Sequence, residues 1–441
     1  MMPHLDFVRK RFSADSQRNL SGAGWTVISQ LAGILVRLGS NLALTRLLAP
    51  EAFGLVATAL TFLTTLEWLS DLGVQPALVR HPLGDDRTVL STGWWISLCR
   101  GFMVTGVAIA TAWPVSQFFN QPQLAPVLAV LALRPALMSL RSPGLPRLRR
   151  AMDFRSVFID EFTMTVTGTL TSVLIAIFVP SVWAIVFGTL TGAATGIVVS
   201  FLLCPGRPVR PDRQVARELR RFSTQILINT LVMAMWMNID RLLGLRMVSS
   251  HDMGLYAVAW NLAAVADSLI SRFCEVHFAS LSRLTDERQR QVAHERLMNL
   301  ISLWIIPVAA LAVCAGPWLV QQLYDARYTG VRILFPVLLC RALIRGVGQM
   351  QFQLLLARNQ VRTGTLAYVM ALVVHAACVV PMTQSWGVNG LALSTLLSTT
   401  CVTVTQALLA ARTSGESLLP VLRTLAWINM PLLFISLVQA G

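Results

Sequence analysis

Apolar residues recur along this chain in blocks of about 20, and that spacing restricts the fold more than any other feature of the sequence. A helix rising 1.5 Å per residue needs about 20 residues to cross the ~30 Å hydrocarbon core of a bilayer. Lipid offers the backbone no hydrogen bonds, so each block must pair its own N–H and C=O groups, which a helix does. Composition agrees. With 55% apolar residues, 13% charged residues and a mean hydropathy of +0.62, the 441-residue chain carries more apolar surface than a soluble interior can hide. The fold class is all-α: a polytopic membrane protein.

The blocks predict spans near 22–46, 53–78, 88–115, 122–140, 156–180 and 182–204. A second set follows near 222–246, 253–280, 297–318, 331–356, 363–384 and 386–411, and 418–440 is a candidate thirteenth helix. Each is bounded by proline, glycine or charged residues. The first twenty residues hold Asp6, Arg9, Lys10, Arg11, Asp15 and Arg18 with no apolar core of a signal peptide, so they are expected to form a cytoplasmic tail.

Basic residues fall in alternate loops, as expected when such loops stay in the cytoplasm. They cluster at Arg80 to Arg87, Arg141 to Arg155, Arg207 to Arg221, Arg283 to Arg296, and Arg358 with Arg362. The intervening loops at Pro114 to Pro122, Pro180, Ser249 to Asp252 and Thr383 to Gly387 carry no Arg or Lys. This placement absorbs nearly all of the +15 net charge, so no nucleic-acid partner is expected. The seven cysteines are scattered singly without metal-ligand spacing, so neither a metal nor another cofactor is expected.

An internal repeat organises the spans. Arg46 to Ala59 aligns without gaps on Arg246 to Ala259, matching Gly54 to Gly254 and, further on, Glu67 to Asp267. Arg134, followed by Pro-Ala-Leu, sets more loosely against Arg341, followed by Ala-Leu-Ile. Two six-helix lobes are predicted: 21–204 (spans 1–6) and 222–412 (spans 7–12), with 205–221 as a basic cytoplasmic linker. The tail is 1–20, and 413–441 holds the extra helix. Six spans per lobe start both lobes on the same side, giving a parallel repeat about an axis along the membrane normal.

Leu44-Thr-Arg-Leu-Leu-Ala-Pro-Glu-Ala-Phe-Gly54-Leu, Asp71-Leu-Gly-Val and Ala77-Leu-Val-Arg80 resemble the opening of the polysaccharide-transport proteins. These are O-antigen and exopolysaccharide flippases of the multidrug, oligosaccharidyl-lipid and polysaccharide exporter superfamily. Asn238-Ile-Asp-Arg241-Leu-Leu, Gly254-Leu-Tyr256, Ala279-Ser-Leu-Ser-Arg283 and Gly387-Val-Asn-Gly-Leu-Ala392 fit the same pattern in order and spacing. The resemblance implies a non-enzymatic flippase in the bacterial inner membrane. Its substrate would be an undecaprenyl-pyrophosphate-linked oligosaccharide, moved from the cytoplasmic to the periplasmic leaflet for O-antigen, capsule or exopolysaccharide synthesis. Membrane lipids and polysaccharide polymerase machinery are the implied partners.

A diphosphate-sugar headgroup needs a path with fixed cations, and arginine suits it because its fork grips phosphate oxygens and stays charged when desolvated. Arg37, Arg134, Arg241, Arg272, Arg341 and Arg345 sit at membrane depth and are the candidate substrate-binding residues. Arg341 and Arg345 are four apart and share one helix face. An alternative role for Asp240 and Arg241 is a structural ion pair. Glu67, Asp71 and Asp267 are candidates to carry a coupling proton or sodium ion. His375, alone in an apolar helix, reads as a hydrogen-bonded packing residue, and Gly33, Gly39, Gly188 and Gly192 as points of close helix contact.

Three other readings share parts of this pattern. A peptidoglycan-precursor or multidrug exporter would use the same frame, although a pump for organic cations calls for acidic and aromatic linings. A membrane sugar polymerase or ligase would place catalytic residues in a large outer loop, and the outer loops here run to about twelve residues or fewer. A purely structural assembly protein leaves intramembrane arginines unexplained.

Overall fold

In a computed structural model, the described residues are 32–70, 74, 78, 86–151, 153–283, 286–358, 360–414, 421–422 and 425–426. The expected cytoplasmic tail at 1–20 lies outside them, as does nearly all of the candidate helix at 418–440. The described residues are helical, without a strand. Before the polar stretch at 204–212 come α1 (32–47), α2 (Pro50–Leu69), α3 (Arg87–Phe118), α4 (Leu124–Leu131), α5 (Leu133–Ser139), α6 (Leu145–Arg150), α7 (Phe154–Phe178) and α8 (Val182–Leu203). After it come α9 (Arg213–Met247), α10 (Ser250–Arg283), α11 (Glu287–Leu323), α12 (Val331–Ala357) and α13 (Val361–Ser414). Six of the described helices are long and apolar enough to cross a membrane: α2, α3, α7, α8, the first part of α10, and α13. The chain is an all-α polytopic membrane protein.

One predicted span changes in detail. The expected span at 122–140 is two short helices separated at Ala132. Pro135 brings no N–H to the first turn of α5, and the Ala132 carbonyl accepts a hydrogen bond from the Thr105 hydroxyl on α3 at 2.6 Å. The spans expected at 363–384 and 386–411 are present as the two helical arms of α13, which meet at a sharp break at Gly387, whose φ of 57° and ψ of −137° suit a residue without a Cβ.

The chain divides into two compact units interleaved in sequence. One comprises Met1–Ser40, Ser70–Ala112 and Leu128–Leu227; the other comprises Asn41–Leu69, Trp113–Val127 and Ile228–Gly441. In the first, α7 lies against α8 with glycine at the contact. A Cβ on Gly192 would stand 2.7 Å from the Met164 carbonyl oxygen, and one on Gly168 would stand 2.9 Å from that of Gly188. Gly188 and Gly192 thus allow close helix approach, as expected. Gly33 and Gly39 do not serve that role among the described residues: a Cβ on Gly39 meets nothing within 4 Å, and one on Gly33 meets only Arg37 of its own helix. The buried Asp160 of α7 is paired with Arg141 in the same unit.

In the second unit the repeat is visible residue by residue. Leu48 and Val248 close the preceding helices with backbone hydrogen bonds to Leu44 and Gly244. α2 and α10 then begin at the matched positions Pro50 and Ser250. Burial runs in register too: 53–56 and 253–256 are buried, Ala57 and Ala257 partly so, and 58–59 and 258–259 are buried again.

The two copies also touch. A Cβ on Gly54 would lie 1.9 Å from the Ser250 carbonyl oxygen, and one on Gly254 would lie 1.8 Å from that of Pro50. Each glycine therefore faces the residue four places before the other, the arrangement a local two-fold axis produces. Glu51 and His251, also 200 residues apart, meet at 2.9 Å; being exposed, their pair adds little stability.

The turn after α11 closes over this crossing. Tyr324 donates to Asn41 Oδ1 at 2.6 Å, and Tyr328 donates to the Leu48 carbonyl at 2.8 Å. That carbonyl stands past the end of α1, where the helix offers it no N–H. Burial raises both phenol pKa values, so both remain donors. Tyr328→Phe leaves the Leu48 carbonyl unpaired and is expected to cost about 1–3 kcal/mol. Denaturant unfolding of the purified protein checks this, and an unchanged midpoint would count against the clamp.

Candidate functional site

Within the second unit, α10 and α12 are packed neighbours, and each carries polar residues at four-residue intervals, the spacing that keeps side chains on one helix face. Asp267 lies between the two arginines of α12. Its Oδ2 accepts from Arg341 Nη1 at 3.2 Å and its Oδ1 from Arg345 Nε at 2.8 Å. One turn further along, Ser271 accepts from Arg345 Nη2 at 3.3 Å and donates to Gln349 Oε1 at 3.3 Å. Asp267 and Ser271 on one helix thus answer Arg341, Arg345 and Gln349 on the other.

Trp260, two turns before Asp267 on α10, extends the cluster to α9. The guanidinium carbons of Arg241 and Arg341 each lie 4.1 Å from the centre of its ring. A desolvated cation over an indole face gains about 2 kcal/mol, and here one indole holds a cation from each neighbouring helix. Tyr256, one turn earlier, packs 5.9 Å from Trp260 and donates to Asp240 Oδ2 at 2.7 Å. Asp240 is 1% exposed and Arg341 is 3% exposed, so both charges are removed from solvent.

Three arginines face two aspartates here, which leaves one net positive charge when both acids are ionised. Each guanidinium has five N–H donors, and Asp267 takes one from each of its partners. Arg241 Nε and Asp240 Oδ1 have no hydrogen-bond partner among the described residues. The arrangement therefore holds its cations in fixed positions while keeping N–H groups for an anion rich in oxygen.

Of the six candidate arginines, the structure brings Arg241, Arg341 and Arg345 together, along with Asp267 from the acidic candidates. Arg37 and Arg134 belong to the other unit. Arg37 is exposed, and its Nε donates to the Gly33 carbonyl of its own helix at 3.3 Å. Arg134 is half-buried on α5. Arg272 lies on α10, but its side chain is outside the described residues, as is all of Asp71. Glu67 is half-buried near the end of α2. The alternative pairing of Asp240 with Arg241 is replaced by the bond from Tyr256. His375 is buried in α13, but neither ring nitrogen has a hydrogen-bond partner among the described residues, so the hydrogen bond expected of it is not seen there.

Sequence reasoning missed the Trp260 platform and the Tyr256–Asp240 bond. Tyr256 to Trp260 is a four-residue step that continues through 264 to 268 beside Asp267, a signal legible once α10 is known to face α12. The meeting of Arg241 with Arg341 across an indole leaves no local trace.

The fold of this helical membrane protein is shared with solved structures of a flippase and of a multidrug transporter. It superposes on the lipid II flippase MurJ in an inward closed conformation with a TM-score of 0.76, covering 94% of this chain and 92% of that one at 10% identity. On the inward-facing conformation of a multidrug resistance MATE family transporter the TM-score is 0.69, with 88% and 98% covered at 12% identity. Such identities establish the fold alone. Residues 43–333 match the family described as polysaccharide biosynthesis protein, and the chain belongs to that family. It is 21% identical to the lipopolysaccharide biosynthesis protein WzxC of Escherichia coli (strain K12) over 78% of this chain and 71% of the relative. It is 24% identical to the succinoglycan biosynthesis transport protein ExoT of Rhizobium meliloti (strain 1021), over 78% and 73%.

Proposed function

We infer that this protein is a flippase for surface-polysaccharide synthesis that carries an undecaprenyl-pyrophosphate-linked oligosaccharide from the cytoplasmic to the periplasmic leaflet of the bacterial inner membrane. The observation that carries this reading is the Arg241–Trp260–Arg341–Asp267–Arg345 cluster. In a family concerned with polysaccharide biosynthesis, a group of fixed cations, one buried and two half-buried, with donors to spare fits a diphosphate. The lobes 21–204 and 222–412 would alternate access to it, with the N-terminus cytoplasmic and Asp267 or Glu67 available to a coupling proton or sodium ion. No bond of the substrate is made or broken, so the protein acts as a carrier rather than an enzyme. Polysaccharide polymerase machinery would receive the product.

Arg345→Ala tests the binding role, because Arg341 then keeps Asp267 paired while a cation leaves the site. Polymer export is expected to fall at least tenfold while lipid-linked sugars accumulate on the cytoplasmic side, at near-normal protein abundance. Arg345→Lys should restore only part of it, since lysine keeps the charge and loses the fork. Unchanged export in the alanine variant would refute the assignment.

Orientation is tested separately. Single cysteines at Arg149 and Arg213, in a cysteine-free background, should resist an impermeant maleimide in intact cells, and those at Ser250 and Gln384 should react. Labelling of the first pair would reverse the topology.

A further inference from the structure

Arg345 has a second environment. Beside it, between α9, α12 and α13, lies a cavity of about 100 Å³. One wall is aromatic: Trp236 and Tyr368 pack with ring centres 5.3 Å apart, and Phe352 stands edge-on to Tyr368 at 5.5 Å. The Trp236 Nε1 donates to Ser398 at 2.7 Å, which fixes the indole in place. The polar lining is supplied by the amides of Gln349, Gln353 and Gln406. Gln406 is 1% exposed, and its Nε2 has no hydrogen-bond partner among the described residues. A buried donor left unpaired costs free energy, so a ligand atom that accepts from it gains by more than the bond alone.

Gly348, on the lining of the cavity, lets α12 approach α13 closely: a Cβ there would stand 2.5 Å from Thr403 Oγ1 and 3.1 Å from Gln406 Oε1. No carboxylate is among the described lining residues, which disfavours a cationic guest, and three amides are out of place in a pocket for an acyl chain. Aromatic faces beside amide donors and acceptors suit a ring that is apolar on its C–H face and polar at its edge. Sugars have that character. The cavity is well below the roughly 300 Å³ of a pocket for a drug-sized ligand, so it admits part of one sugar residue.

We propose that this cavity is a sugar-recognition subsite, in which Gln406 and Gln353 read the hydroxyl or acylamino substituents of the sugar joined directly to the diphosphate held at Arg345. The proposal rests on the flippase reading and adds to it a determinant of which glycan is carried. Arg345 belongs to both sites, so its distance from the amides sets which sugar along the glycan is read.

The test compares two kinds of probe on the purified protein in nanodiscs: farnesyl diphosphate, and farnesyl diphosphate bearing one glucose, galactose or N-acetylglucosamine. Wild-type protein should bind at least one glycosylated probe about fivefold to tenfold more tightly than the bare diphosphate, as one satisfied buried hydrogen bond provides. Gln406→Leu should remove that preference and leave affinity for the bare diphosphate unchanged. Gln353→Leu, at a half-buried position, should reduce the preference and guards against a folding defect in the first variant. Arg345→Gln should weaken both kinds of probe. A preference that survives both glutamine changes, or no preference for any of the three sugars, overturns the subsite while leaving the diphosphate site standing. Failure of every probe to bind wild-type protein overturns the flippase reading itself.

Discussion

Asp267→Ala is expected to cost the protein about 3–5 kcal/mol, because it leaves Arg341 and Arg345 side by side without the carboxylate that both of them bond. Arg341 is almost fully buried, so water cannot replace the lost oxygen. The measured outcome is a sharp fall in membrane abundance and in resistance to denaturant. Asp267→Asn should behave similarly, as it keeps the volume and loses the charge. Combining it with Arg345→Gln removes one cation with the anion, and the double variant should be less damaged than the two single effects added together, by 0.5–3 kcal/mol. The same series separates structure from coupling. Normal abundance of Asp267→Asn with export abolished would assign Asp267 to proton or cation carriage rather than to holding the arginines.

Much of this architecture was legible in the sequence because the bilayer imposes a length rule that soluble folds lack. The repeat was legible for a sharper reason. Gly54 and Gly254 stand at matched positions because each must admit the other's helix, so the contact that preserves them also reveals the alignment. The pairing of Arg341 with Arg345 on one face followed from their four-residue spacing, but their partner did not. By its sequence position Asp267 is a candidate ion carrier, and the structure places it between the two arginines. The partners lie 74 and 78 residues away along the chain, and periodicity carries no information at that range. The break at Ala132 was hidden for a local reason: Pro135 falls in the first turn of α5, where a helix tolerates it, so an apolar block with one proline read as a continuous span. The glutamines around the cavity were passed over because an amide on an apolar helix has no pattern of its own. Only the packing of α9, α12 and α13 gathers them.

The glycine crossing makes the other large prediction, and its sign is what makes it informative. Glycine inside a helix is less favourable than alanine by about 1 kcal/mol, so Gly→Ala at an open helical position should stabilise. Gly39 is such a position, since an added Cβ meets nothing within 4 Å. Gly54→Ala and Gly254→Ala carry the same intrinsic gain, yet their new carbons fall 1.9 Å and 1.8 Å from backbone carbonyl oxygens, which no side-chain rotation can move aside. Relief requires α2 and α10 to separate, and that opens the buried run from 53 to 59 and its copy from 253 to 259. Each variant is therefore expected to lose at least 2–3 kcal/mol, the scale of a forced overpacking in a well-packed core. Gly39→Ala should match or exceed the wild type. Thermal unfolding of the three purified variants, followed by circular dichroism, measures the contrast directly. If Gly54→Ala proves as stable as Gly39→Ala, the two copies of the repeat do not meet at these glycines. If the two crossing variants are destabilised equally, the local two-fold relation between α2 and α10 holds in energy as well as in geometry.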